Sequence, residues 1–198
     1  MITIPTNAKG LIFDLDGTIA NTMPNHFKAW RHAVTPYGID FDKELFLSLT
    51  GMPKAATIAK LNELFGTDMD PIAVGVTKDS YFNTLINLTE KIEVVTNVIE
   101  QYHTKLPMAI GTGSTFKGAK QTLKIIRMQQ YFNIVITSDD VVHGKPHPET
   151  FLKCAEKMKV SPDKCVVFED GELGIQAAKT AGMMVIDINK YFKTEFVK

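Results

Sequence analysis

The chain has 198 residues, and its 22 Lys and Arg balance 22 Asp and Glu, for a formal charge of zero. That length suits one domain, or a core with a modest insert, and buries a substantial interior without staples. The balanced charge offers no surplus for nucleic acid or an anionic membrane, and no apolar run is long enough to span a bilayer. Cys154 and Cys165 read as buried free thiols, one in a helical pattern and one at the head of a strand. The first ten residues lack the charged-then-apolar order of a signal peptide. Both observations lead to the expectation of a reducing cytoplasm.

The first predicted element is a strand over 10–13, an apolar run that stops at Asp14. Its successor does not come until about Met108, and the stretch between reads as helix. Asn21 or Thr22 can cap the first helix, and Pro24 suits its first turn. Phe27, Trp30, Ala33 and Val34 make one apolar face before Pro36-Tyr37-Gly38 breaks the pattern. A second helix is predicted over 45–49, a third over 53–65 ended by Gly66, and a fourth opening at Asp70-Pro71. Residues 21–91 therefore form a helical insert whose ends come together, because the chain leaves and re-enters one sheet.

Beyond the insert, short apolar runs at 108–110, 134–136, 165–168 and 184–188 alternate with helical patterns. The clearest helices are 151–158, with Pro148 near its start, and 172–181, with Gly182 just past its end. Runs so short and apolar read as strands buried on both faces. Strands alternating with helices give an α/β fold, a doubly wound parallel sheet built from 1–20 and 92–198.

Four segments carry chemistry. In Asp14-Leu15-Asp16-Gly17-Thr18, a strand delivers two carboxylates at its carboxyl end, where ligands bind in open α/β sheets. Alternation puts side chains two apart on one face. At a separation of about 4 Å and an effective dielectric near 20, two such charges repel by roughly 4 kcal/mol, so one is protonated or a cation lies between them. Gly17 permits a sharp turn with backbone amides that can approach an anion. A calcium loop fails, because the glycine offset is wrong and no glutamate follows at the twelfth position.

Glu169-Asp170 ends a second apolar run and can bring four acids to one sheet edge, a set suited to magnesium when phosphate completes the shell. Gly111-Thr112-Gly113-Ser114 ends a third run in hydroxyls and glycines suited to phosphate oxygens. The dinucleotide pattern would need glycine where Phe116 stands, and the P-loop would need lysine where Ala119 stands. In Gly144-Lys145-Pro146-His147-Pro148 a lysine is held in a fixed loop. His143 and His147 are not a zinc pair, because the intervening glycine and prolines forbid the helix that would align them.

Taken in order, Asp14-Leu15-Asp16-Gly17-Thr18, Thr112, Lys145 and Glu169-Asp170 resemble the four motifs of the haloacid dehalogenase superfamily, over nearly the whole chain. Residues 25–30, 144–151 and 168–178 are similar to the β-phosphoglucomutase-like subgroup. Gly111–Ser114 and 165–170 are similar to its bacterial fructose-1-phosphate phosphatase-like members.

The resemblance implies a Rossmann-like core with an inserted helical cap, and a phosphatase or hydrolase that uses Mg2+. Asp14 is implied as nucleophile and Asp16 as general acid and base. Thr112, Gly113, Lys145 and the Gly17 turn would hold phosphate. Asp14, Asp16 through its carbonyl, Glu169 and Asp170 would hold the metal. On the cap, His26, Gly51 and Lys54 would face substrate.

The implied substrate is a hexose phosphate such as fructose-1-phosphate, cleaved through an aspartyl-phosphate. The partners are that small molecule alone, with no nucleic acid and no membrane, and a monomer is expected. A β-phosphoglucomutase is the alternative, and a catalytically inactive binding module the remote one. Thr18, Thr50 and Lys54 stand where the mutases carry valine, lysine and arginine, which weighs against the mutase. Asn21 replaces an aspartate without discriminating.

Overall fold

A computed structural model describes residues 2–196. Among the described residues five strands form one sheet: β1 Gly10–Phe13, β2 Met108–Gly111, β3 Val135–Ile136, β4 Cys165–Glu169 and β5 Met184–Asp187. They are all parallel and run in the order β3-β2-β1-β4-β5. Four helices flank this sheet: α5 Glu93–Tyr102, α6 Phe116–Ile125, α7 Glu149–Met158 and α8 Glu172–Thr180. Four others, α1 Met23–Val34, α2 Lys43–Leu49, α3 Lys54–Phe65 and α4 Pro71–Leu85, lie in the predicted insert.

Strand alternation divides the core. Leu11 and Phe13 of β1, with Val166 and Phe168 of β4, pack among Val95 and Ile99 of α5 and Leu123 of α6. Ile12, Cys165 and Val167 point the other way, to Phe151, Cys154 and Ala155 of α7 and Ala177 and Ala178 of α8. This is the period of two expressed on a sheet covered on both faces. Phe13 and Phe168, both fully buried, stack with centroids 4.4 Å apart, and burying each is worth about 1.5–3 kcal/mol. Both cysteines are buried free thiols.

The outer strands depart from the expectation. β5 is only half-buried along its length, and β3 shrinks to two residues. As edges of the sheet they have a strand on one side only. Ile188 leaves the strand for a 3-10 turn, which Asp187 caps by accepting from the Asn189 amide. Helix α5 follows the insert directly and is a sheet-covering helix not singled out from the sequence.

The chain divides into two compact units: residues 2–21 with Glu90–Thr194, and Thr22–Thr89 with residues 195–196. In the helical unit Phe27, Trp30, Ala33 and Val34 are buried on one face of α1 as the spacing predicts. Thr22 occupies the N-cap position but its side chain makes no cap bond. Asp42 and Asp70 do cap, accepting from the amides of Leu45 and Ile72. Gly66, at φ +64°, ends α3 in the left-handed conformation that favours glycine. Residues 195–196, expected with the sheet, belong to the helical unit. The Phe196 ring packs edge-on against Phe27 and Phe46, at 5.7 and 5.8 Å.

Candidate active site

The carboxyl ends of β1, β2 and β4 bring the motif residues together. The Asp14 amide donates to the Phe168 carbonyl at 3.0 Å, so the parallel ladder delivers Asp14 beside the end of β4. Its side chain is buried. Lys145 Nζ lies 2.6 Å from Asp14 Oδ1 and 2.6 Å from Glu169 Oε2. Asp14, Glu169 and Asp170 each offer a carboxylate oxygen within 4.8 Å of the others, the one such ligand group among the described residues.

Charge is crowded here. Burial, then Glu169 and Asp170, push the Asp14 carboxyl well above its ordinary range, while Lys145 pulls it down. Burial and Glu169 push Asp170 up to about 7, against a hydrogen bond from Thr18. Burial alone would lower the Lys145 ammonium, but Asp14 and Glu169 outweigh it and hold the group well above its usual value. One ammonium faces three carboxylates, so ionising all of them carries a cost that a dication would offset. Hard, closely spaced oxygens are the donor set that suits magnesium.

Asp16 is not part of that trio. Its side chain accepts from Ser114 Oγ at 2.6 Å. That bond turns the Asp16 carboxylate toward Ser114, and the metal part implied for this residue was through its carbonyl. The turn after it explains the divergence. The Leu15 carbonyl accepts from the Ile19 and Ala20 amides, and the Gly17 amide donates to the Ala20 carbonyl at 2.8 Å. Gly17's own amide is thus engaged within the turn. Its role is steric: at φ +93°, a Cβ there would fall 2.1 Å from Asp170 Oδ2.

Thr112 is buried at the end of β2, and its Oγ1 accepts from the Ser114 amide at 3.1 Å. Gly113 is exposed, with open space where a Cβ would project.

Several positioning groups were not singled out from the sequence. Thr18 Oγ1 donates to Asp170 Oδ1 at 2.9 Å, and Asn189 Nδ2 donates to the Asp170 carbonyl at 2.6 Å. The Gly171 amide donates to Glu169 Oε1 at 3.0 Å. Thr18 and Ser114 lie inside recognised motifs and could have been read as carboxylate donors. Asn189 sits beyond the last strand with no local signal.

Within the helical unit, the His26 ring stacks on Phe82 at 4.2 Å, and its Nδ1 lies 3.2 Å from Lys78 Nζ. Lys78 is buried, 3.4 Å from Asp79 Oδ1, and Asp79 also pairs with Lys54. His26 and Lys54 are thus the two ends of one polar chain. Lys78 went unnoticed, although a lone lysine in the apolar run of α4 was the available clue. Gly51 follows α2 at φ +89°, a conformation that favours glycine.

At its carboxyl edge, where open α/β sheets bind their ligands, the parallel sheet gathers buried carboxylates and a lysine. The family model described as haloacid dehalogenase-like hydrolase matches residues 11–188, and the chain belongs to that family of enzymes. It is 42% identical over 180 residues to the fructose-1-phosphate phosphatase YqaB of Escherichia coli, covering 90% of this chain and 95% of that protein. It is 27% identical to the β-phosphoglucomutase of Bacillus subtilis over 92% of this chain and 84% of that one. The solved β-phosphoglucomutase of Clostridium difficile superposes with a TM-score of 0.79 at 25% identity, covering 91% and 84%.

Proposed function

We propose that the chain is a magnesium-dependent phosphatase of a small sugar phosphate, a hexose phosphate such as fructose-1-phosphate, working through an aspartyl-phosphate on Asp14. The observation that carries this reading is the buried Asp14 carboxylate held by Lys145 beside Glu169 and Asp170. The 42% identity to a fructose-1-phosphate phosphatase supports the substrate class.

In the first half-reaction an Asp14 oxygen bonds to phosphorus as the ester P–O bond breaks. Asp16, oriented by Ser114, gives the departing oxygen its proton. In the second, Asp16 takes a proton from water, whose oxygen bonds to phosphorus as the Asp14–phosphorus bond breaks, and phosphate leaves. Lys145, Thr112 and the open Gly113 turn hold the phosphoryl oxygens. Asp14, Glu169, Asp170 and the Asp16 carbonyl would hold magnesium, which supplies charge neutralisation for the phosphoryl group. His26, Gly51 and Lys54 are proposed to read the sugar.

Two relatives named β-phosphoglucomutase keep a second reading open, in which the phosphoryl group returns to the sugar. An inactive binding module is disfavoured, since every motif keeps its reactive group. Incubation with a panel of sugar phosphates and magnesium separates the readings. Free phosphate supports the phosphatase; isomerised sugar without phosphate release supports the mutase.

A further inference from the structure

The loop that carries Lys145 is tied from outside the site. Glu149, the first residue of α7, reaches back across it. Its Oε1 accepts from the Val142 amide at 3.1 Å and its Oε2 from the His143 amide at 2.9 Å. Lys153, one turn on, lies 2.9 Å from Oε1 and donates to the Asp140 carbonyl at 2.5 Å. The upstream end is anchored too: Asp140 Oδ2 accepts from both the amide and the hydroxyl of Thr137.

Three donors on one carboxylate hold it ionised. Lys153, then the His143 and Val142 amides, bring Glu149 down to about 2. Its place at a helix N-terminus favours negative charge as well. Inside the loop the backbone bond is the turn from the His147 amide to the Gly144 carbonyl, at 3.0 Å. From this frame Lys145 extends over the Phe151 ring, 4.8 Å from its centroid, to reach Asp14 and Glu169.

We propose that Glu149 is a positioning residue: its carboxylate closes residues 142–149 into a hydrogen-bonded ring that fixes where the Lys145 ammonium meets Asp14 and Glu169. Its hydrogen bonds run to the loop backbone and to Lys153, so it acts on the chemistry through Lys145. The proposal rests on the reading of Lys145 as the group that holds phosphoryl oxygens.

A double-mutant cycle tests it. Glu149→Ala and Glu149→Gln are made in the wild type and in Lys145→Ala, and kcat and KM are measured with fructose 1-phosphate and p-nitrophenyl phosphate in magnesium. In the wild-type background Glu149→Ala is expected to lower kcat by about ten- to a hundredfold, the scale of a small misplacement of a reacting group, with KM changed by less than about threefold. Glu149→Gln keeps one acceptor oxygen and should retain more activity.

In the Lys145→Ala background either substitution should change kcat by less than about twofold, because residues acting as one unit are not additive. Equal losses in both backgrounds, or unchanged kcat in a folded Glu149→Ala protein, would overturn the proposal. If Lys145→Ala itself leaves kcat unchanged, the reading of Lys145 fails instead. Lys153→Met, which removes one of Glu149's three donors and leaves the carboxylate, should give a smaller loss that is again absent without Lys145. It serves as the probe if the Glu149 variants do not fold.

Discussion

A Cβ placed on Gly174 falls 2.0 Å from Oε2 of Glu169, the same oxygen that meets Lys145 at 2.6 Å. The backbone of α8 therefore sits directly against a carboxylate of the site, and the helix needs a glycine in its first turn. Gly174→Ala should force Glu169 aside and cost about 1–3 kcal/mol, the range for overpacking a tight interior. Thermal unfolding should show the loss of stability, and turnover should fall with it because the Lys145 pair is broken.

Ser114 donates to Asp16 at 2.6 Å, and hydrogen bonds to charged groups contribute about 1.5–3 kcal/mol. Ser114→Ala should lower kcat roughly tenfold or more and lower the melting temperature by no more than the loss of that one bond, since Ser114 is only half-buried. Steady-state kinetics beside a thermal melt separates the two effects.

Magnesium should raise the melting temperature of chelator-treated protein. The ionised carboxylates at Asp14 and Asp170 are crowded in the fold, as the upward shifts of both groups indicate, and a ligand that binds only the native state stabilises it. Asp170→Asn should remove most of that response. A full response in the variant would place the metal elsewhere.

The Glu149 clamp has a pH signature. Its folded value is near 2 and the ordinary glutamate value is 4.5, so the carboxylate's contribution is fully present above the unfolded value. It is lost as pH falls through the interval between them. The stability gap between wild type and Glu149→Gln should be constant from neutral pH down to about pH 5, then close toward pH 2. Melting curves across that range read it out.

Much of this was legible in the chain itself. The short apolar runs located β1, β2 and β4, because strands buried on both faces cannot tolerate polar residues. The edge strands blurred, since β3 and β5 are less buried and their sequence constraint is weaker. In the site, Asp14, Lys145, Glu169 and Asp170 announced themselves as charged groups at strand ends or in a rigid loop. Gly17 and Asp16 were harder, because what their atoms meet depends on how the chain turns back through Leu15 and Ala20. Asn189 has no local signal, and although Glu149 and Gly174 lie in segments that resemble the subgroup, what they meet is a product of tertiary approach.

The central claim is that Asp14 bonds covalently to phosphorus. The direct measurement is acid-quenched single turnover with fructose 1-phosphate and magnesium, followed by peptide mass mapping. A phosphoryl group on the peptide containing Asp14, sensitive to hydroxylamine and absent from Asp14→Asn, is the predicted result. Phosphate release that persists in Asp14→Asn, or a phosphoryl group on another residue, would contradict it.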